Sequence, residues 1–135
     1  MLDHLKVSDF SYPAVLAAGL LPYAFAGVAK FGPKEPYNNH DPRAFLETVK
    51  GKYKRAHNAQ LNSFEGLPLF VAGVLIAHQQ LPSAATQTQL WLNLLSWLYV
   101  TSRVVYGWAY ITDRAALRSV VWFVGLSANV ALFFI

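Results

Sequence analysis

The chain has 135 residues, 55% of them hydrophobic and 13% charged, a net charge of +4 and no cysteine. That charged share is about half of what a soluble domain carries, and the missing cysteines exclude disulfides and thiolate metal sites. The length fits a single domain, 1–135. The charges are clustered, which leaves four long stretches to be read as membrane-spanning helices.

The first stretch, Tyr12–Ala29, is 18 residues without a charge. As a helix it would cover ~27 Å, close to a hydrocarbon core of ~30 Å. "AFA" at 24–26 resembles a cleavage site, but Asp3 and Asp9 against one Lys6 make a poor signal-peptide start, so a retained span is the better reading. "FGPKEPYNNHDPR", residues 31–43, is rich in Gly, Pro and Asn and is predicted to be a loop. Asp41-Pro42 then makes a good helix start, with Asp as N-cap and Pro in the first turn.

The second helix is predicted from about Pro42 to about Gln79, amphipathic at first and kinked at Pro68. Its apolar run, Gly66–Ala77, is long enough to span only if the helix carries Glu65 in with it from near Ala59. Leu81-Pro82-Ser83 turns the chain, and a third helix is predicted from Ala84–Gln87 with a span at Leu90–Ile111 interrupted only by Arg103. "TDRA", 112–115, is a tight connection into the fourth stretch, Ser119–Ile135, 17 residues without a charge. Short connections between consecutive spans make an all-α integral membrane protein, an up-and-down bundle of four transmembrane helices, the expected fold.

Ten of the eleven basic residues lie between the first and second spans, between the third and fourth, or within the third; Lys6 is the exception. By the positive-inside bias, loops 1 and 3 are expected to be cytoplasmic and both termini on the far side. The spans account for this basic stripe better than nucleic acid does, so no nucleic-acid partner is expected. His4, His40, His57 and His78 have no metal-ligand spacing, and no metal is expected. Trp91, Trp97, Trp108 and Trp122 read as interface anchors and packing, and Lys50, Lys52 and Lys54 as a solvated run facing anionic lipid.

The polar residues within the apolar helices carry the functional signal. On the second helix Arg55, Asn58, Asn62 and Glu65 fall within an arc of ~80°. Tyr99, Arg103, Tyr106 and Tyr110 form a second stripe on the third helix, and Arg118, Trp122, Gly125 and Asn129 share a face of the fourth. Glu65 and Arg103 each lie about 15 Å from the basic end of their helix, so they are expected to pair. Either alone would cost at least ~2.5–3.5 kcal/mol at a helix centre. A structural ion pair would explain those two residues, but the surrounding amides, tyrosines and arginines exceed what helix packing needs. Together they read as a polar cavity lined with donors for an anionic, hydrogen-bonding ligand.

The pattern "R…N…N..E..P" on the second helix, "R..Y…Y" on the third and "R…RS" leading into the fourth resembles the MAPEG family, the membrane-associated proteins in eicosanoid and glutathione metabolism, in a bacterial-type form. The resemblance implies a homotrimer in the membrane, expected to be a bacterial inner membrane. Each subunit interface would hold glutathione near the cytoplasmic side. The implied activity is that of a glutathione-dependent transferase or peroxidase, with a lipophilic electrophile or lipid hydroperoxide arriving from the lipid. Arg55, Asn62, Glu65, Arg103, Tyr106 and Lys30 are the implied glutathione-binding residues. Arg118 and Ser119, with Tyr110 as second choice, are the implied stabilisers of the thiolate.

Two positions depart from the glutathione-using branches: Asn58 stands where they carry another arginine, and Ser63 where they carry an aspartate. The segment from Asp41-Pro42 to Asn62 also looks longer. Two other readings follow from the same residues. One is a non-catalytic lipid-binding or scaffolding relative; the other is a proton-coupled transporter titrating at Glu65, which the pairing with Arg103 argues against.

Overall fold

The structure, a computed structural model, describes residues 7–81 and 86–135. Lys6 and His4, the turn residues Pro82 and Ser83, and Ala84, an expected helix start, lie outside them. Five α-helices follow one another among the described residues: α1 (Ser11–Phe31), α2 (Pro42–Thr48), α3 (Gly51–Gln80), α4 (Thr86–Ile111) and α5 (Ala115–Ala131), closed by a 3₁₀ turn at Leu132–Phe134. No described residue is in a strand.

Small residues decide how the long helices meet. α1 buries Ala14, Ala18, Pro22, Ala26 and Ala29, spaced by three or four, and leaves Leu16, Leu20 and Tyr23 outside. Its partner α3 answers with Ala56, Ala59 and Ala77, which cluster with Ala29, Phe25 and the Ala14–Ala18 pair in turn. In lipid there is no hydrophobic drive between helices, so such seams work by letting backbones approach and pack. The same device joins α4 to its neighbours. The Phe25 ring of α1 occupies the space over Gly107 that a Cβ would need, and Gly125 of α5 faces the Ser102 hydroxyl. Between α3 and α4, Phe70 stacks on Tyr99 with ring centroids 4.2 Å apart.

α1 packs on α3, α3 on α4, and α4 on both α1 and α5. The start of α1 lies beside the C-terminal end of α3 and the start of α4, so these helices alternate in direction. A polar knot ties that end together. His78 Nε2 lies 3.2 Å from Asp9 Oδ2 and 2.8 Å from Ser11 Oγ, and Asn93 Nδ2 and Trp97 Nε1 donate to the carbonyls of Ser8 and Phe10.

The expected second helix is two. Val49 and Lys50 are extended and Gly51 takes a positive φ of 58°, a conformation that glycine adopts without strain, so the backbone ladder breaks between α2 and α3. Asp41 caps α2 as expected, accepting from Ala44 N at 3.1 Å, with Pro42 in the first turn. α3 continues as helix through Pro68. The α4–α5 connection closes with Arg114 N donating to Ala109 O at 2.7 Å and Asp113 N to Tyr110 O at 3.1 Å, while Asp113 sits at φ 61°. That pair of bonds is a Schellman ending with aspartate in the left-handed position.

Three helical segments are long and apolar enough to cross a membrane: Ser11–Phe31, Gly51–Gln80 and Ala115–Phe134. The fourth expected span forms as helix α4 but is not among them; Gln89, Asn93, Arg103 and its row of Tyr and Trp side chains lower its mean hydropathy. Large apolar side chains such as Leu16, Leu20, Val120 and Phe123 are more than half exposed. An apolar surface of this extent calls for lipid or partner helices around it.

Two substitutions test this packing by thermal unfolding in detergent. Gly107→Ala forces Phe25 from its site and is expected to cost about 1–3 kcal/mol. Asp113→Val puts a β-branched side chain at φ 61° and should cost about 1–2 kcal/mol, whereas Asp113→Gly should cost nothing.

Candidate functional site

Arg103 lies on the buried face of α4 and is 5% exposed. Its Nη2 donates to Asn62 Oδ1 at 2.8 Å and to Ser63 Oγ at 3.3 Å, both on α3. The guanidinium carbon stands 4.0 Å from the Tyr106 ring centroid, one turn along α4. Cation, amide, hydroxyl and aromatic face together replace part of the hydration that burial removes.

The expected pairing of Glu65 with Arg103 is indirect. Asn62 uses its oxygen for Arg103 and its Nδ2 for Glu65 Oε2, at 3.2 Å. The amide therefore relays between the two charges, because Asn62 and Glu65, three residues apart, sit on one helix face while Arg103 approaches from α4. Among the described residues the direct contact between a basic side chain and a carboxylate is that of His78 with Asp9, at the far end of the helices.

Around this relay α3, α4 and α5 leave a cavity of about 220 Å³. Asn62, Glu65 and Gly66 line it from α3, Arg103 from α4, and Trp122 and Asn129 from α5. Gly66 is needed there, since a Cβ would come 2.8 Å from the Tyr99 hydroxyl. Two buried polar atoms on the lining side chains, Arg103 Nε and Asn129 Oδ1, have no hydrogen-bond partner.

From Arg103 a ladder of cations and rings leads to the α4–α5 turn. Tyr106 and Tyr110 meet edge to face at 5.7 Å, and the Arg118 guanidinium covers the Tyr110 ring at 4.4 Å. Ser119 is exposed next to Arg118, but it lies in the second turn of α5; the Arg118 N–H already bonds the Arg114 carbonyl, so the free N–H groups of that helix end one residue earlier.

The other two candidates are occupied elsewhere. Arg55 donates through Nε and Nη2 to the Ile111 carbonyl, at 3.2 and 3.1 Å, and so caps the end of α4. Lys30 stands 5.1 Å over the Tyr37 ring, beside the loop after α1. The structure thus gathers Asn62, Glu65 and Arg103 about one cavity, strings Tyr106, Tyr110 and Arg118 away from it, and leaves Lys30 and Arg55 at other contacts. Sequence reasoning noted Ser63 only as a departure and Asn129 only as sharing a face. The buried position of Ser63 next to Asn62 comes from a helix pairing that one helix's spacing does not reveal.

Residues 10–135 match the model of the MAPEG family. The chain belongs to the MAPEG family. The match covers nearly all of the chain and includes every residue of the cavity and ladder. Comparison with curated proteins and with solved structures returns no match. This MAPEG protein is a membrane protein, as its three apolar helices also indicate.

The relay can be tested by unfolding in detergent. Asn62→Leu leaves both charges without their link and is expected to cost about 1–3 kcal/mol. Adding Arg103→Leu should recover part of that loss, because the stranded cation is then removed as well. Strict additivity of the two substitutions would show that the residues are not coupled.

Proposed function

We propose that this MAPEG protein is a membrane-bound transferase or peroxidase that uses glutathione against lipophilic electrophiles or lipid hydroperoxides. The observation that carries the reading is the Arg103–Asn62–Glu65 relay on a cavity inside a chain of this family. Glutathione brings two carboxylates, an ammonium, amides and a thiol. Arg103 suits a carboxylate, Glu65 the ammonium, and Asn62 the peptide amides. Tyr106 and Tyr110 line the way to Arg118, whose charge, with the Ser119 hydroxyl, would hold the thiol as thiolate. In transfer, the thiolate sulfur bonds to the electrophilic carbon as the leaving group departs. In reduction, sulfur takes the outer peroxide oxygen; a second thiolate displaces it as water, leaving the disulfide and the lipid alcohol.

At about 220 Å³ the cavity is smaller than the roughly 300 Å³ at which ligand pockets begin. A tripeptide needs more walls, which supports a site completed by a neighbouring subunit of a homotrimer, with Lys30 and Arg55 as contributors after rearrangement. In the proposed protein α4 is the fourth span, its polar and aromatic face turned to its own chain or to a neighbour. The loops after α1 and α4 are cytoplasmic, and the membrane is a bacterial inner membrane.

A second reading has its own observation. Arg55 and Lys30 are both engaged in contacts that close the fold, which leaves fewer cations for a doubly anionic ligand. On that basis the alternative is a lipid-binding or scaffolding MAPEG protein without thiol activation.

Calorimetry on the detergent-solubilised protein separates the two. Saturable glutathione binding is expected, weakened at least tenfold by Arg103→Ala and by Glu65→Gln. No binding up to millimolar glutathione would overturn the enzyme reading.

A further inference from the structure

The break between α2 and α3 makes an elbow, and a second cavity, of about 590 Å³, lies in it. Ligand pockets run from roughly 300 to 1,000 Å³, so this one has room for a ligand group. Its apolar walls are fixed by packing. Val49 is buried, Phe45 meets Tyr37 edge to face at 5.4 Å, and the Tyr53 ring fills the space that a Cβ at Gly32 would need. Arg55 caps the end of α4, which puts the start of α3 at the same end of the helices as the turn carrying Arg114 and Arg118. α1, one of the three segments apolar enough to cross a membrane, stops at Phe31, and the lining of the cavity begins at Pro33. Where an apolar span ends, the lipid headgroups begin.

Most cations around this elbow are engaged. Lys30 and Lys52 stand over the Tyr37 and Tyr53 rings, Lys54 donates to the Leu46 carbonyl and Arg55 to that of Ile111. The side chains of Lys34 and Lys50 make no hydrogen bond, ion pair or ring contact with any described residue, and both line the cavity. Glu35, the carboxylate on the lining, is likewise unpaired among the described residues. Two cations against one carboxylate leave one positive charge over. A phosphodiester beside Lys34 and Lys50 would bring the lining to neutrality. A zwitterionic headgroup would leave that charge unmet, and a doubly charged phosphate would set its second charge near Glu35. Neutral hydroxyls on the headgroup would have an acceptor in Glu35.

We propose that the cavity in the α2–α3 elbow binds the headgroup of a singly anionic, hydroxyl-bearing phospholipid, its phosphodiester held by Lys34 and Lys50. Bound there, the lipid ties the loop after α1 to the elbow at the membrane surface. The proposal goes beyond the glutathione reading and does not rest on it, because it concerns a different cavity and needs no thiol.

The test is thermal unfolding of the full chain in uncharged detergent micelles, with dioleoylphosphatidylglycerol added at rising mole fraction. The melting temperature is expected to rise and to saturate, as it does when a ligand binds the folded state alone. Lys34→Gln with Lys50→Gln should raise the half-saturating fraction roughly tenfold. Arg43→Gln with Lys52→Gln removes the same charge from outside the lining and should raise it by about twofold at most. Thr48→Trp keeps every charge but puts an indole on the lining, and should abolish the saturable rise. Dioleoylphosphatidylethanolamine and deacylated glycerophosphoglycerol should give no such rise. Equal weakening by the two double variants would overturn the proposal, since net charge would then attract the lipid without a site. So would an equal rise with phosphatidylethanolamine, which would mean that headgroup charge is not read. Saturation by the deacylated compound would make a free phosphodiester the ligand. A rise kept by Thr48→Trp would put the lipid elsewhere, and no rise with phosphatidylglycerol would leave the cavity without a lipid.

Discussion

A guanidinium held inside a packing of apolar helices sets the terms for the rest of this structure. Arginine stays charged, so Arg103 must be met by acceptors and by a polarisable face wherever it goes. α3 supplies Asn62 and Ser63, and α4 itself supplies Tyr106. Those contacts hold α3 and α4 at one rotation and one register, since a shift by one residue on either helix would turn the acceptors away by ~100°. Glu65 then follows, because it shares a face with Asn62 and is tied to it. A buried charge network is poor evidence for stability as such. Its value here is in specifying which faces of the two helices meet.

The remaining contacts are built to let that meeting happen at short range. Ala, Gly and Ser occupy the seams between α1 and α3, between α1 and α4 and between α4 and α5. Where the seams are tightest, at Gly107 under Phe25 and Gly125 beside Ser102, the glycine leaves the facing side chain the room that a Cβ would take. Where α3, α4 and α5 diverge around Asn62, Gly66 and Asn129, the same economy of volume leaves a cavity instead of a seam. Site and scaffold are thus made by one packing.

Much of this was readable along the chain. Clustered charge and long uncharged runs marked the helices, since a run without charge is what a hydrocarbon core requires. Spacing placed Asn62 with Glu65 and Arg103 with Tyr106, because helical period is a local property. The loop at 31–43 and the cap at Asp41-Pro42 followed from turn chemistry. The break at Val49–Gly51 was missed, because none of these three residue types forbids helix alone and only the observed backbone angles divide α2 from α3. The helix expected at α4 forms, but it is not among the three most apolar ones, since its Tyr and Trp rings are apolar in bulk yet polar at one end.

By itself, then, the sequence determined the helical class, the membrane habit, the family resemblance and the polar faces of single helices. All of these depend on order and periodicity within one segment. Only the tertiary structure decided that Glu65 reaches Arg103 through Asn62, that Ser63 and Asn129 belong to the site, and that Arg55 and Lys30 are engaged elsewhere. Each of these is a relation between helices. It is set by how far their small residues let the backbones approach, and no spacing along one helix encodes that distance.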